Sequence, residues 1–301
     1  MKTWFPIFVL SLCLPTGLVA DEGDWMSRLA DGRKLSSLSI PGTHNSAALR
    51  EPLPATARCQ SLNLAKQLDA GVRFFDLRCC HQEDQFFLYH GPVSQKLSFD
   101  AVLKTMESFL HRHPGETLIL SIKPEHRPRG NSRSFVETLR HYLDQPDRAW
   151  YRGETIPKLG EVRGKMILLR RFDAPSGFGI PATDWGHNGS HEGDRLFIQD
   201  RFKVPDAETK WKLVKRGLER TLSRPPVDRL HLHFSSGYQS GPLGIPNITA
   251  ISNSVNRRLT DYLLQAPRRC HGCLVVDFMT PELARSIYQL NFPVDKTGQG
   301  P

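Results

Sequence analysis

The segment Thr117-Leu118-Ile119-Leu120-Ser121-Ile122-Lys123 decides the fold of this chain. Its first six residues form an almost continuous apolar run, which predicts a strand buried on both faces, as in a parallel sheet covered by helices. Its last residue is a lysine, so a charged group follows directly on the buried run. The segment therefore predicts an α/β protein whose strands end in polar side chains.

Apolar runs of this kind recur along the chain and alternate with helical patterns. The predicted strands are Ser36–Ile40, Val72–Leu77, Thr117–Ile122, Met166–Leu169, Leu196–Gln199, Leu230–Phe234 and Leu274–Asp277. The predicted helices are Ser61–Ala70, Phe99–Arg112, Ser132–Leu143, Ala207–Leu222, Ile251–Leu264 and Pro281–Leu290. This alternation is typical of a parallel sheet with helical crossovers, and burial on both faces favours a (β/α)8 barrel in a single domain.

Two connections depart from a regular barrel. Phe86–Tyr89 is a further strand-like run, but only His81–Gln85 separates it from the strand before it. A parallel return needs roughly a dozen residues, so these two strands are predicted to form an antiparallel ribbon. The link between Leu169 and Leu196 contains scattered Gly, Pro and Asn and predicts an irregular segment. We therefore expect a distorted, TIM-like barrel.

Polar or charged residues occur where the predicted strands end. They are His44, Asp76 with Arg78, His90, Lys123, Arg171, Asp200, Ser235 with Ser236, and Asp277. The carboxyl ends of barrel strands meet on one face, and that face carries the catalytic residues of barrel enzymes. Any one of these residues alone is consistent with a solvated loop, but their recurrence over separate segments predicts a catalytic rim.

Two histidines, an arginine and carboxylates are the groups that transfer at a phosphodiester requires. A base activates the attacking oxygen, an acid protonates the leaving oxygen, and a cation holds the nonbridging oxygens. Histidine titrates near neutrality and suits either proton role, whereas the planar arginine fork matches phosphate. A carboxylate that accepts a hydrogen bond from a histidine fixes the tautomer of its ring.

The sequence favours a reaction without a metal or other cofactor. A metal-dependent phosphodiesterase would need two or more carboxylates at the end of the second strand. That place holds Phe75-Asp76-Leu77-Arg78, with one carboxylate and one guanidinium. Cys270 and Cys273 form a lone CxxC motif, for which a strained or partial disulfide is favoured over structural zinc.

Seven short motifs stand in order along the chain. They are Ser39-Ile40-Pro41-Gly42-Thr43-His44-Asn45-Ser46, Arg73-Phe74-Phe75-Asp76-Leu77-Arg78, Leu88-Tyr89-His90-Gly91, Ser121-Ile122-Lys123-Pro124-Glu125, Leu169-Arg170-Arg171-Phe172, Ile198-Gln199-Asp200-Arg201-Phe202 and Val275-Val276-Asp277-Phe278. Together they closely resemble the X domain of bacterial-type phosphatidylinositol-specific phospholipase C, from about Trp25 to Asn291. The resemblance implies a distorted TIM barrel that cleaves phosphatidylinositol, or glycosylphosphatidylinositol (GPI) anchors, without calcium to diacylglycerol and a 1,2-cyclic inositol phosphate.

The resemblance also implies a role for each matching residue. His44 would be the general base for the inositol 2-hydroxyl, and His90 the general acid for the diacylglycerol oxygen. Arg78 would hold the phosphate, Asp277 would orient His44, and Asp76 would support the nucleophile or Arg78. The positions that match hydrogen-bonding partners of the inositol hydroxyls are Lys123, Arg171 and Asp200.

Two residues depart from the family pattern. Family members commonly have Asp after the catalytic histidine, where it partners the general acid, but this chain has Asn45. An amide cannot neutralise an imidazolium, so we expect a lower pKa for the general acid and reduced turnover. The residue that stacks on the inositol ring is typically Tyr, and Phe202 stands there. Stacking is retained and a hydroxyl contact is lost.

The first twenty residues predict a secretory signal peptide. Lys2 precedes the apolar run Trp4–Val19, and cleavage after Ala20 would leave residues 21–301 as a secreted catalytic domain. An uncleaved anchor is the alternative, but the run is shorter than the ~20 residues of a spanning helix. The formal net charge of +9 favours peripheral contact with anionic membranes. Nucleic acid is not an expected partner, because the basic residues are scattered and form no known motif.

Two other functions remain open at this stage. The first is a secreted lipid-binding pseudoenzyme that keeps the pocket but turns its substrate over poorly, and Asn45 is the residue that suggests it. The second is a metal-dependent phosphodiesterase acting on another phospholipid. The sequence does not distinguish free phosphatidylinositol from GPI anchors as the natural substrate, and a monomer is expected.

Overall fold

The computed structural model describes residues 22–146, 148–225 and 227–293. The predicted signal peptide, residues 1–20, lies outside these ranges. The strands are β1 (Ser39–Thr43), β2 (Phe74–Gln82), β3 (Gln85–His90), β4 (Val93–Ser98), β5 (Leu118–Pro124), β6 (Trp150–Tyr151), β7 (Met166–Arg170), β8 (Ile180–Pro181), β9 (Gly189–Glu192), β10 (Leu196–Asp200), β11 (Leu230–Phe234), β12 (Gln239–Ser240), β13 (Pro246–Asn247) and β14 (Gly272–Val276). The helices are α1 (Leu64–Asp69), α2 (Phe99–Arg112), α3 (Phe135–Leu143), α4 (Leu159–Val162), α5 (Ala207–Ser223), α6 (Thr249–Gln265) and α7 (Pro281–Tyr288). None of the described helices combines the length and apolar character needed to cross a membrane.

The predicted helices and strands are present, and their bounds differ where caps or turns intervene. Helix α2 and strand β11 have the predicted bounds. Helices α1 and α3 begin later than predicted, because the Asn63 and Ser134 side chains accept hydrogen bonds from the backbone N–H groups of Lys66 and Glu137. The segment between β7 and β10 contains short strands and no helix, as its composition predicted.

Seven parallel strands of five or more residues follow the order of the chain around one sheet. Their hydrogen-bonded order is β7-β5-β2-β1-β14-β11-β10, so the first parallel strand pairs with the last. Among the described residues, the ladder does not continue between β7 and β10. Short β8 pairs with β7 on one side of this gap, and antiparallel β9 pairs with β10 on the other. We call the gap between β8 and β9 the seam.

Side chains alternate between two apolar layers, one on each face of the sheet. The inner layer contains a residue from every parallel strand: Ile40, Phe74, Ile119, Ile167, Ile198, Leu232 and Val275. On the outer face, Phe75 and Leu120 pack in a second cluster with helix residues such as Met106. A sheet that surrounds a cluster of its own side chains is a barrel. The prediction of a distorted (β/α)8 TIM-like barrel in a single domain is therefore confirmed.

Strand β1 lies three residues later than predicted. Leu35–Ser37 forms a 3-10 turn, and the strand runs through Pro41 and Gly42. Proline is tolerated because pairing with β2 begins only at Gly42, so no ladder N–H is missing. A Cβ at Gly42 would lie 3.1 Å from Phe74 and Val275 side-chain atoms, so a small residue is required there.

Strands β2, β3 and β4 form the predicted antiparallel ribbon. Cys79 pairs with Leu88, and β3 pairs in turn with β4. The two-residue turn, Glu83 and Asp84, has φ of 49° and 57°, as a type I′ hairpin requires. The ribbon carries His90 to its end, back at the rim of the barrel.

A fully buried ion pair closes the opposite end of the barrel. The Arg73 Nε donates to Glu116 Oε2 at 2.7 Å, and both side chains have no exposed surface. Arg73 also donates to the carbonyls of Leu68 and Val72, and its guanidinium lies 4.5 Å from the centroid of the Phe109 ring. The pair therefore joins β2 to α1, α2 and the start of β5.

The Arg73→Met variant is expected to lose about 3 kcal/mol of unfolding free energy, because Glu116 would remain as a buried charge without its partner. Urea unfolding monitored by circular dichroism measures this loss. The double variant Arg73→Met/Glu116→Gln should recover part of it, because it removes both charges. Equal stability of the single variant and wild type would contradict the prediction.

Candidate active site

The rim residues lie on the inner face because they continue the alternation of the inner core layer. In β2, Phe74, Asp76 and Arg78 are two residues apart, so their side chains share one face. The same spacing places Lys123 beyond Ile119 in β5. Arg78 and Lys123, the last inward-facing residues of these two strands, line a cavity of about 420 Å³ at the carboxyl ends of the strands.

Eight of the ten predicted site residues line this cavity. They are His44, Arg78, His90, Lys123, Arg171, Asp200, Phe202 and Asp277. The other two, Asp76 and Asn45, lie beneath it and are 0% and 1% exposed. Ser236, at the end of β11, is also buried, and its hydroxyl has no hydrogen-bond partner.

The contacts of His44 select one tautomer of its ring. Its Nε2 lies 2.7 Å from Arg78 Nη2, and its Nδ1 lies 2.7 Å from Asp277 Oδ1. A guanidinium only donates hydrogen bonds, so Nε2 must accept and the ring proton must be on Nδ1. Asp277 in turn accepts from the Gly237 N–H at 3.3 Å. The lone pair that would take a proton from a substrate therefore points toward Arg78.

Arg78 lies among carboxylates that hold its planar group in place. Its Nε is 3.3 Å from Asp76 Oδ2, and its Nη1 is 3.8 Å from Glu125 Oε1. Burial acts to lower the pKa of Arg78, but these two carboxylates outweigh it and raise that pKa above its ordinary value. The guanidinium is thus a permanent positive charge next to the base.

Asp76 is the buried anion beneath the cavity. It accepts from Arg171 Nη1 at 3.2 Å and from the Asn45 backbone N–H at 3.1 Å. Burial acts to raise the pKa of Asp76, but the charges of Arg78 and Arg171 hold it well below its usual range. Asp76 therefore links the two cations and stays ionised.

His90 faces His44 across the cavity. The ring centroids are 6.2 Å apart and the ring planes are nearly perpendicular. The His90 Nδ1 lies 2.6 Å from the Ala57 carbonyl oxygen, so Nδ1 carries the proton in the neutral ring and Nε2 is free to gain one. Burial first and the charge of Arg78 second lower the pKa of His90 to about 4. A phosphate anion between His90 and Arg78 would counter the second of these causes.

Asn45 occupies the left-handed region, with φ of 38°, which asparagine tolerates better than most residues. Its side-chain Nδ2 is buried and has no hydrogen-bond partner. The partner of His90 is the Ala57 carbonyl, and the thiol of Cys59 lies 3.6 Å from the same ring nitrogen. The effect of Asn45 on the general acid thus remains a prediction.

The remaining cavity wall combines polar and aromatic groups. Lys123 Nζ lies 3.1 Å from Glu125 Oε2, and the Trp185 indole N–H donates to Asp200 Oδ2 at 3.1 Å. The Arg171 guanidinium lies 3.6 Å from the centroid of the Trp185 ring. This wall presents donors, acceptors and ring faces together, as recognition of a polyhydroxylated ring requires.

The cavity residues that were not assigned a role from the sequence include four with polar or aromatic side chains: Glu125, Trp185, His187 and Tyr238. Glu125 ends the fourth motif and could have been predicted from the sequence, because it follows Lys123 by two residues and so shares its face. His187 and Tyr238 flank the Phe202 ring, with ring centroids at 5.0 and 6.0 Å. Trp185 and His187 lie in the irregular segment, where no periodic pattern indicates which side chains turn inward.

The family model described as "Phosphatidylinositol-specific phospholipase C, X domain" matches residues 33–172, which include His44, Arg78 and His90. This part of the chain therefore matches the PI-PLC X domain. Asp200 and Asp277 lie beyond the matched residues, and the barrel brings them to the same cavity.

The chain also resembles bacterial relatives over most of its length. It is 28% identical to the 1-phosphatidylinositol phosphodiesterase of Listeria monocytogenes over 276 residues, which cover 89% of this chain and 84% of the relative. It is 26% identical to the protein of that name from Staphylococcus aureus, over 85% of this chain and 88% of the relative. A solved structure of the S. aureus PI-PLC matches with a TM-score of 0.79 and 25% identity, over 88% of this chain and 96% of that one. The solved structure of the L. monocytogenes PI-PLC matches with a TM-score of 0.70 and 25% identity, over 91% of this chain and 100% of that one.

Proposed function

We propose that this protein is a phosphatidylinositol-specific phospholipase C that acts by general base and general acid catalysis without a metal. The observation that carries the proposal is that His44 and His90 line one cavity with their ring centroids 6.2 Å apart, and that the Arg78 guanidinium in the same cavity lies 2.7 Å from His44 Nε2. The chain also resembles relatives named 1-phosphatidylinositol phosphodiesterase over most of its length. Free phosphatidylinositol and the inositol phosphate of a GPI anchor present the same headgroup to this cavity.

The first step begins when the substrate phosphate binds the Arg78 guanidinium. Arg78 then turns its Nη2 from His44 Nε2 toward the nonbridging oxygens, which frees the lone pair of the base. The inositol 2-hydroxyl gives its proton to Nε2, and Asp277 stabilises the imidazolium. The hydroxyl oxygen forms a bond to phosphorus while the bond from phosphorus to the diacylglycerol oxygen breaks. Because nucleophile and phosphate belong to one molecule, proximity supplies much of the rate.

His90 completes the first step by protonating the leaving oxygen. The substrate anion raises the protonated fraction of His90, because it offsets the positive charge of Arg78. The products are diacylglycerol and the 1,2-cyclic inositol phosphate. Water then opens the cyclic ester slowly, with His90 taking a proton from water and His44 returning one to the 2-oxygen.

The inositol ring is held by the polar wall and by Phe202. Lys123, Arg171 and Asp200 offer the charged groups that would hydrogen-bond the ring hydroxyls. Phe202 supplies the stacking face, with Tyr238 beside it at a centroid distance of 6.0 Å. A headgroup without a ring of hydroxyls, such as choline, would leave the remaining hydrogen-bond donors and acceptors of this wall without partners on the ligand, which favours inositol lipids.

A panel of phospholipids assayed with and without excess EDTA tests the proposal. Arg78 places a positive side chain where a divalent ion would bridge base and phosphate, so we expect cleavage of phosphatidylinositol to persist in chelator. Phosphatidylcholine and sphingomyelin should not be cleaved. Activity that needs added calcium or magnesium, or that is confined to another headgroup, would refute the mechanism.

The second candidate function is an inositol-lipid-binding pseudoenzyme, favoured by the unpartnered Asn45 amide. We expect wild type to release cyclic inositol phosphate slowly, and Asn45→Asp to raise kcat several-fold, because a carboxylate beneath the cavity favours protonated His90. Phosphorus NMR follows the cyclic product. No release by wild type with rescue in Asn45→Asp would favour the binding protein, whereas a lower kcat in Asn45→Asp would contradict the reasoning.

We propose peripheral membrane contact through the apolar rim, which we define as Leu53, Leu243 and Ile245. These side chains are 57%, 97% and 44% exposed. The loops that carry them are joined where Ile248 N–H donates to the Ala55 carbonyl at 2.9 Å. Ile248 itself lines the cavity, so the apolar rim borders its mouth. Together with the net charge of +9, this favours docking of the cavity against an anionic bilayer.

Leu243→Ser is expected to weaken binding to phosphatidylcholine vesicles containing phosphatidylglycerol by about tenfold, because one exposed leucine no longer enters the interface. Sedimentation with the vesicles measures this affinity. Leu264→Ser is the matched control, since Leu264 is 74% exposed near the end of α6 that leads into β14, away from the cavity. Equal losses in both variants would argue against the apolar rim as the docking surface.

Export and a monomeric state complete the proposal. The predicted leader, residues 1–20, supports secretion of residues 21–301. Amino-terminal sequencing of protein recovered from culture medium should begin at Asp21, and light scattering should give the mass of one chain. A start at Met1, or a stable dimer, would correct these two points without affecting the reaction.

A further inference from the structure

The Cys59 thiol lies against both catalytic histidines although the reaction has no role for it. Cys59 has no exposed surface, and its Sγ is 3.6 Å from His90 Nδ1. Its backbone N–H donates to the Ala48 carbonyl at 2.9 Å, and its carbonyl accepts from the Phe278 N–H at 2.7 Å. These bonds fix the segment between β1 and the end of β14, directly beneath the pair of His44 and Asp277.

Cys59 completes a set of three metal-ligand side chains. One potential ligand atom from each of His44, Cys59 and Asp277 lies within 4.8 Å of the other two. Among the described residues, this is the one group of three His, Cys, Asp or Glu side chains gathered this closely. A nitrogen, a sulfur and a carboxylate oxygen form a donor set that suits zinc and similar thiophilic divalent ions, and not calcium or magnesium.

We infer that this group is an inhibitory site for a thiophilic divalent cation of the zinc class. The ion would bind His44 through Nδ1, Cys59 through Sγ and Asp277 through a carboxylate oxygen. The Nε2 side of His44 is excluded as a ligand because the Arg78 guanidinium lies 2.7 Å from it. A water molecule or His90 completes four-coordination.

The ligand atoms need only small movements to surround the ion. Tetrahedral zinc with ligands at 2.0–2.3 Å keeps those ligands about 3.3–3.8 Å apart. The distance from His44 Nδ1 to Asp277 Oδ1 is 2.7 Å and must open, whereas the separations to Cys59 Sγ are at most 4.8 Å and need to close by no more than about 1 Å. His44 and Asp277 line the cavity, so an ion reaches the site through the cavity mouth. The thiol and ring protons that it displaces leave to solvent.

The ion would stop the proposed reaction by changing the tautomer of the base. A neutral imidazole that binds a metal through Nδ1 carries its proton on Nε2, so the Arg78 Nη2 donor 2.7 Å away must turn from it, as it does in the proposed first step. The Nε2 atom then has no lone pair for the inositol 2-hydroxyl, and Asp277 no longer orients the ring. This consequence rests on the proposed function, whereas binding of the ion itself does not.

The rival zinc site is the CxxC motif. Cys270 Sγ lies within 3.4 Å of the carbonyl oxygens of Ser36 and Leu38, near the opposite end of β14 from the cavity. Cys270→Ser is therefore the matched control for Cys59→Ser, because each variant removes one thiol from one of the two candidate sites.

The experiment measures Co²⁺ and Zn²⁺ binding to the full mature chain without lipid. We expect wild type and Cys270→Ser to bind one Co²⁺ with an intense near-ultraviolet thiolate band. Cys59→Ser should lack the band and bind Zn²⁺ at least about 100-fold more weakly, since loss of even an outer partner of a ligand costs 10–100-fold. A band that survives in Cys59→Ser, that disappears in Cys270→Ser, or that never forms in wild type overturns the proposal.

Two further measurements make the test independent of folding and of activity. X-ray absorption at the zinc edge of the wild-type complex should show one sulfur among nitrogen and oxygen ligands, and two sulfurs or none would overturn the site even if Cys59→Ser does not fold. Zn²⁺ should inhibit cyclic phosphate release by wild type and Cys270→Ser, and EDTA should reverse it. A chain that binds cobalt through Cys59 but cleaves no lipid refutes only the proposed function, and an active chain without the band refutes only this site.

Discussion

His44→Ala is expected to lower kcat/KM for phosphatidylinositol by about 10⁴-fold, because it removes the group that accepts the 2-hydroxyl proton. The loss should fall almost wholly on kcat, since the histidine ring contributes to the transition state more than to binding of the inositol ring. The measurement is release of cyclic inositol phosphate from mixed micelles over a range of substrate concentrations. Asp277→Asn should show a smaller loss, because His44 would remain but its tautomer would no longer be fixed.

The matched control is His126→Ala. His126 is exposed outside the cavity, where it stacks on Tyr89 at a centroid distance of 5.4 Å. It lies on the same side of the barrel but touches neither catalytic histidine, so kcat/KM should stay within about twofold of wild type. A His44→Ala variant that retains a tenth of wild-type activity would show that another group is the base.

Arg78→Lys is expected to reduce kcat by about 10³-fold while preserving the positive charge. The planar fork of Arg78 bonds Asp76 through Nε and reaches His44 and Glu125 through its two terminal nitrogens. A lysine ammonium cannot span these positions and hold two phosphate oxygens at once. Steady-state kinetics measures the loss, and thermal unfolding verifies that the variant folds.

A comparison of Arg171→Lys with Arg78→Lys tests whether the effect of Arg78 is specific to the phosphate or common to any arginine in the cavity. Arg171 bonds the same carboxylate as Arg78, at 3.2 Å, but in the proposed complex it contacts the inositol ring and not the phosphate. Its loss should raise KM more than it lowers kcat, because contacts with the ring hydroxyls are made in ground and transition states alike. If both variants showed the same change in kcat, Arg78 would have no special role at phosphorus.

The inward face of the strands explains why most of the site was predictable from sequence. A two-residue period continues from the core into the rim, so Arg78 and Lys123 follow Phe74 and Ile119 on the same face. Strand ends of a parallel barrel converge, so residues far apart in the chain meet at one mouth. The ribbon was predictable for a different reason, since its connection is too short for a parallel return.

Residues in irregular segments were not predictable, because no period relates them to a face. Trp185 reaches Asp200 only through the path of the loop between β8 and β9. The Ala57 carbonyl that holds His90 is a backbone group and leaves no mark in the sequence. The proximity of Cys59 to His44 depends in the same way on how one loop crosses beneath another.

The seam has a consequence for the bound headgroup, which would connect two strands that the backbone does not join. Arg171 stands just beyond β7 and Asp200 ends β10, and the Trp185 ring lies between them, at 3.6 Å from the guanidinium centre and 3.1 Å from the carboxylate. No backbone ladder joins these two strands in the described residues. An inositol phosphate that hydrogen-bonds to both Arg171 and Asp200 would form a noncovalent bridge across this gap. Amide hydrogen exchange in β8 and β9 should then be slower when inositol phosphate is bound, because local opening of the barrel wall is coupled to release of the product.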